Sequence, residues 1–388
     1  MNKLLSLLLI LPILLLTACG GGGASLTPVV NNPTAGELIS SELLATKSAT
    51  FLTPYSVKAY KVIYNTKDVD GNTIEASGLL AVPSKDSGEK SPLLSYQHGT
   101  IFLDTQAPSN SSTSANGIMT LAGKGYIVSA ADYIGYGKSS NKIHPYIHAD
   151  SLASASIDML SASKSFLQSK NIKTNSQLFL AGYSEGGYAT LALQKAIQDS
   201  SSSEFTVTAS AAGAGPFDLT ETAKELANKV TNSKPAYMSF LLKAYDSIYN
   251  LNQVSDMYQP QYVANINNLF NGQHSASNIN DNLTTTTADL FNSDFLSALQ
   301  GDDEHVIKDK LALNNIYDWK PTAPTRFYHG QNDEVVPYSN AQKALTTMTE
   351  NGATDVNLVD CPFNSHVSCA FPYVLDTLSF FASYAEDL

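Results

Sequence analysis

Apolar and polar positions follow different rhythms along the chain, and each rhythm predicts an element. From Ala59 onward, short apolar runs bounded by turn residues alternate with longer segments whose apolar positions recur three and four apart. "YKVIYNT" and "TIEASGLLAVP" predict paired strands, with Asp70-Gly71 as the turn signal between them. "PLLSYQHG" (92–99) and "GYIVSAADYIGYG" are apolar runs that end in polar loops, as buried parallel strands do. Residues 150–170 have helical spacing and an acidic start. A strand, "SQLFLAG", follows, and a second helix begins near Ser184. "TRFYHG" and "VNLVDCP" are later strands, and "YVLDTLSFFASYA" is the last helix. Strands alternating with helices imply an α/β domain whose mostly parallel sheet is covered on both faces.

Two segments break the alternation. Residues 220–320 show no clear strand and read as short helices joined by Asn, Ser and Thr stretches. The pattern predicts a sheet core at 51–219 and 321–388, interrupted by a helical cap. Residues 19–50 contain "GGGGASLTPVVNNPTAG", lack periodicity and predict a flexible tether.

Ahead of the tether, Lys3 precedes an apolar run from Leu4 to Leu16. That length suits a signal-peptide core at residues 1–18 better than a membrane span. Leu16-Thr17-Ala18-Cys19 resembles a bacterial lipobox. The resemblance implies cleavage before Cys19, a lipid on its sulfur, and a membrane anchor without a spanning helix. Gly20 stands where an aspartate commonly retains such proteins on the inner membrane, so the outer membrane or cell surface is expected. A plain secretory signal with an incidental cysteine is the alternative.

Composition narrows the partners. The chain of 388 residues carries 35 Asp and Glu against 23 Lys and Arg, a net charge of −12. Such a chain has no electrostatic route to nucleic acid. A neutral or small partner and a monomer are expected. With Cys19 taken by the lipobox, Cys361 and Cys369 remain. In an oxidising compartment they predict a disulfide closing a short loop, with two buried thiols as the alternative. A zinc site would need more ligands than nearby His366 supplies.

The chemistry centres on "FLAGYSEGGYA", where Gly182 and Gly186 flank Ser184. The Gly-x-Ser-x-Gly pattern alone is weak, but a strand before it and a helix after it make a nucleophile elbow. The glycines let the backbone pass close on either side of a sharp bend, and the helix N-terminus favours developing negative charge. A serine nucleophile needs a base, and the base needs a carboxylate. In the hydrolases built on such an elbow the order is Ser, acid, His. "FYHGQNDEVVP" places Asp333 in a loop after a strand, with Glu334 and Asp360 as rivals. "NSHVSC" places His366 between the last strand and the last helix. His98 and His329 do not fit the base's place in the order.

An oxyanion site is expected at "SYQHGT", which resembles the HG loop of esterases through His98-Gly99. The backbone N–H groups of Thr100 and Glu185, beside Gly99, would be its donors, with the Thr100 hydroxyl as a third. His144 and His148 are four apart and could share a metal on a helix, but no third ligand is evident. Packing near the site entrance is the other reading for them.

"SYQHGT", "DYIGYG", "HPYIHA", "AGYSEGGYA", "AGPFDL" and "HGQNDEVVP" occur in this order, and together they resemble the secretory lipase family, the lipase A type of α/β-hydrolase. The similarity runs from about residue 90 to the C-terminus. It implies a helical cap over the active site and hydrolysis of carboxylic esters, so a small-molecule or lipid ester is the expected substrate; a serine, base and acid need no metal or organic cofactor. The lipoprotein anchor is not general to that family. Two other readings stay open: a peptidase of the same fold, for which "GDDEH" at 301–305 could bind a peptide terminus, and a surface binding protein whose triad no longer works.

Overall fold

In the computed structural model, which describes residues 33–301 and 304–388, one sheet of nine strands carries the molecule. The signal segment, Cys19 and the first part of the expected tether lie outside the described residues. The strands are β1 (Leu38–Lys47), β2 (Val57–Lys67), β3 (Thr73–Pro83), β4 (Lys90–Gln97), β5 (Ile127–Ala131), β6 (Lys173–Tyr183), β7 (Val207–Gly213), β8 (Thr325–Gly330) and β9 (Val356–Cys361). Their order across the sheet is β1-β2-β3-β5-β4-β6-β7-β8-β9. β1, β2 and β3 pair antiparallel, and β3 meets β5 antiparallel. From β5 to β9 every pairing is parallel.

The β2–β3 turn forms where Asp70-Gly71 predicts it. The Asp68 Oδ1 accepts from the N–H groups of Asp70 (3.1 Å) and Asn72 (2.9 Å), and Gly71 takes φ 80°. That left-handed conformation favours glycine. β5 is buried along its whole length, so it appears in the sequence as a plain apolar run.

The expected tether at 19–50 is corrected by β1, which pairs with β2 from Leu38 opposite Tyr64 to Lys47 opposite Val57. This edge strand is exposed over most of its length, so it lacks the alternation that marks a half-buried strand.

The helices are α1 (Ser112–Ala122), α2 (Ala149–Ser169) and α3 (Glu185–Asp199), then α4 (Leu219–Asn228), α5 (Pro235–Ile248), α6 (Val254–Met257), α7 (Pro260–Leu269), α8 (Ala276–Asp281), α9 (Thr287–Leu290), α10 (Ser293–Gln300) and α11 (Val306–Leu313). α12 (Ser339–Glu350) and α13 (Ala370–Ala382) close the chain. Apolar faces of α2, α3 and α12 pack in one core cluster, and those of α1 and α13 in a second one. Helices α4 to α11 fall between β7 and β8, where the loss of strand rhythm predicts an insertion. This helical segment is tied to the core by stacked rings, with Phe240 of α5 and Tyr146 at 4.5 Å between centroids. The Tyr188 hydroxyl of α3 also donates to the Asn314 carbonyl at 2.7 Å.

Candidate active site

Parallel strands end together, so the residues just beyond β4, β6, β8 and β9 gather at one rim of the sheet. Ser184 sits between β6 and α3 with φ 62° and ψ −124°. A non-glycine residue held there stores about 1–3 kcal/mol of strain. Its N–H donates to the Gly213 carbonyl at 2.8 Å. None of the neighbouring glycines has a positive φ; their smallness serves close approach instead. A Cβ on Gly182 would lie 2.2 Å from the Gly186 carbonyl oxygen. One on Gly186 would lie 2.1 Å from that of Gln97, and one on Gly187 2.1 Å from that of Gly213.

The structure brings Ser184, His366 and Asp333 together across 182 and 33 positions of sequence. His366 Nε2 lies 2.9 Å from Ser184 Oγ, and His366 Nδ1 lies 2.7 Å from Asp333 Oδ2. Asp333 Oδ1 accepts from the N–H groups of Val335 (2.9 Å) and Val336 (2.8 Å). Its Oδ2 is also 3.2 Å from His329 Nε2, whose hydrogen points as well to the Val336 carbonyl at 3.0 Å. Burial by itself pushes the Asp333 carboxyl up. Hydrogen bonds from His329 and His366, with the charges these rings can carry, outweigh it and hold the group well below the usual carboxylate range. An ionised Asp333 keeps the hydrogen on Nδ1 and leaves Nε2 free to accept from the serine hydroxyl.

The loop that presents His366 is held on several sides. A disulfide joins Cys361 and Cys369 on either side of it. The Tyr183 hydroxyl donates to the His366 carbonyl at 2.7 Å. The His366 N–H donates to Glu334 Oε2 at 3.1 Å, so the rival acid Glu334 serves the backbone of the base rather than its ring. The other rival, Asp360 in β9, accepts from the Tyr338 hydroxyl.

The expected oxyanion residues border the elbow. A Cβ added to Gly99 would come 2.9 Å from the Tyr183 carbonyl oxygen and 3.7 Å from Ser184 Cβ. Glu185 opens α3, where a first-turn N–H has no intrahelical acceptor. The Thr100 hydroxyl meets the Tyr146 hydroxyl at 2.8 Å. If Tyr146 donates there, the Thr100 hydrogen stays available.

His144 and His148 go to separate partners. His144 Nε2 lies 2.7 Å from Glu185 Oε1. His148 caps α2, accepting from the Ser151 N–H at 3.4 Å. The His144–Glu185 contact and the second imidazole on Asp333, His329, were missed by sequence reasoning. His329 carried a usable signal: it stands four residues before Asp333 at the end of a strand.

Ser184 opens onto a pocket lined by Tyr146 and Val336 of the core and by Leu219, Leu226, Met238 and Leu241 of the helical segment. Its walls are mostly apolar. The "GDDEH" run lies partly outside the described residues; within it, His305 caps α11 by accepting from the Ile307 N–H at 3.2 Å. Among the described residues no helix is long and apolar enough to cross a membrane.

The family model for secretory lipase matches residues 106–381. A protein of known structure from Legionella pneumophila is 26% identical, with a TM-score of 0.83 over 90% of this chain and 98% of that one. The rice cell wall degrading esterase LipA from Xanthomonas oryzae is 30% identical, with a TM-score of 0.81 over 89% of this chain and 96% of that one. Candida antarctica lipase A in its closed state, at 17% identity and a TM-score of 0.66, shares the fold over 91% of this chain and 82% of its own. Among curated proteins, none matches the sequence. The α/β-hydrolase architecture, the ester-hydrolase neighbours and a family match spanning most of the sequence converge: this chain belongs to the secretory lipase family and is a carboxylic ester hydrolase.

Proposed function

We propose that the enzyme cleaves its ester through an acyl-enzyme on Ser184. His366 Nε2 takes the Ser184 proton as Oγ attacks the ester carbonyl carbon. The carbonyl π pair moves to oxygen, where the N–H groups of Thr100 and Glu185 receive the charge. Collapse of the tetrahedral species breaks the C–O bond, and His366 returns its proton to the departing alcohol. Water, deprotonated by His366, then attacks the acyl carbon; the acid leaves and Ser184 regains its proton. Asp333 fixes the imidazole tautomer and stabilises its cationic form. The observation that carries this reading is the hydrogen-bonded chain from Asp333 through His366 to Ser184.

The helical segment acts in this scheme as a cap, and its Met238 and Leu241 take the acyl chain. Each methylene buried there contributes about 0.8 kcal/mol. Cys19 carries a lipid that holds the exported enzyme at the cell envelope; Cys19→Ala moves it from the membrane to the soluble fraction. A fluid partition that ignores the substitution sinks the anchor.

The test of the reaction is hydrolysis of p-nitrophenyl esters from two to sixteen carbons, with aminoacyl anilides alongside. Ser184→Ala loses a factor on the order of 10⁵ or more in kcat, because nucleophile and base act as a unit. Equal rates in the two proteins would end the serine mechanism, and faster cleavage of anilides than esters would make it a peptidase.

A further inference from the structure

Behind the elbow lies another buried carboxylate–imidazole contact, apart from Asp333, that the reaction above does not use. The side chains of Glu185 and His144 are 0% and 3% exposed. His144 Nδ1 is 2.7 Å from the Ile134 carbonyl oxygen. A carbonyl can only accept, so Nδ1 carries a hydrogen. Nε2 then faces Glu185 Oε1 at 2.7 Å, a separation that needs one proton between them. Either an imidazolium donates to a carboxylate, or a carboxylic acid donates to a neutral imidazole. The pair is uncharged overall in both forms. Without that proton a carboxylate would face an imidazole lone pair, with a net charge of one unit. Glu185 Oε2 has no hydrogen-bond partner among the described residues, so nothing there would offset the charge.

The surroundings supply no counter-charge. From the loop after β5, the rings of Tyr133, Tyr136 and Tyr146 lie 6.0, 4.7 and 6.0 Å from that of His144. Burial, and then the charge of Glu185, push all three phenols up and keep them neutral. From the loop after β4, His98 is pushed down by burial. The Asp132 carboxylate is spent on the hydroxyls of Ser77 and Ser109. From α5 the neighbour is the apolar Phe240, 5.8 Å away.

Glu185 also supplies one of the two backbone donors assigned to the oxyanion. We propose that Glu185 and His144 are positioning residues: by sharing a proton they fix the Glu185 N–H beside Ser184 and keep negative charge from building behind that donor. This rests on the serine-hydrolase reading above.

The test is kcat and KM for a soluble p-nitrophenyl ester, for wild type, Glu185→Ala and Glu185→Gln. Fluorophosphonate labelling of the wild type comes first; a wild type that neither labels nor turns over takes down the serine reading rather than the pair. Glu185→Ala is expected to lose about 10–100-fold in kcat with KM within about threefold. Glu185→Gln keeps an N–H donor towards Nε2 and cannot ionise. It is expected to recover most of kcat, because the hydrogen bond between the two side chains is kept. A folded Glu185→Ala with wild-type kcat, a loss confined to KM, or a Glu185→Gln no better than the alanine variant would overturn the proposal. If the alanine variant does not fold, Glu185→Gln decides: a kcat more than about tenfold below wild type overturns the proposal.

Discussion

Asp333 accepts two main-chain N–H groups on one oxygen and faces two imidazoles with the other. Its loss should therefore show in rate and in stability. Asp333→Asn keeps the shape but presents an N–H where His366 Nδ1 needs an acceptor, and kcat is expected to fall on the order of 10⁴-fold. The folded-state carboxyl lies below its unfolded value, ~3.9. Stability from such a group is complete above the unfolded value and drains as the pH falls through the folded one. Denaturant unfolding should show a deficit for Asp333→Asn at pH 7 that shrinks below about pH 4; a deficit equal at both would contradict the assignment. Local context and chain order point to Ser184, Asp333 and His366 in the sequence, and the structure brings these side chains into contact. The Glu185–His144 contact could not be read from the sequence, since it spans 41 positions with no motif. His329 does not stand out in the sequence, because order excludes it as the base and says nothing of a second donor to the acid.

At the scale of elements, the turn from β6 to α3 depends on missing side chains. Gly186→Ala would drive a Cβ into the Gln97 carbonyl, and backbone cannot rotate away as a side chain can. A stability loss of about 3 kcal/mol or more is expected, with activity lost in parallel. Thermal melting checks this, and an unchanged Tm would mean the strand and helix are not packed that closely. The disulfide spans 8 positions. Chain entropy gives a loop of that size about 2.5 kcal/mol. Cys361→Ser with Cys369→Ser should lower stability by that order and reduce kcat more than it raises KM, because the loop carries His366; wild-type kcat would show that the other ties suffice. Most strands from β2 to β9 were legible because burial leaves apolar runs. β1 was not, because its side chains face solvent, and β7 ("VTASAAG") was not, because small residues fill its positions.

Over the whole molecule, a nine-stranded sheet holds one rim of loops and a helical segment supplies half of the pocket wall. Leu241→Trp should fill that wall and lower kcat/KM for octanoate relative to acetate by about tenfold or more. An unchanged chain-length profile would place the acyl chain elsewhere. The hydrolase class was legible from six ordered motifs, while the arrangement of helices within the insertion was not, because short amphipathic segments do not specify their own partners. The most direct test of the serine mechanism is reaction with a fluorophosphonate followed by peptide mass spectrometry. One adduct per chain is expected, on Ser184, with ester hydrolysis lost in step. Full hydrolysis with Ser184 unmodified, or an adduct on another serine that accounts for the lost activity, would contradict it.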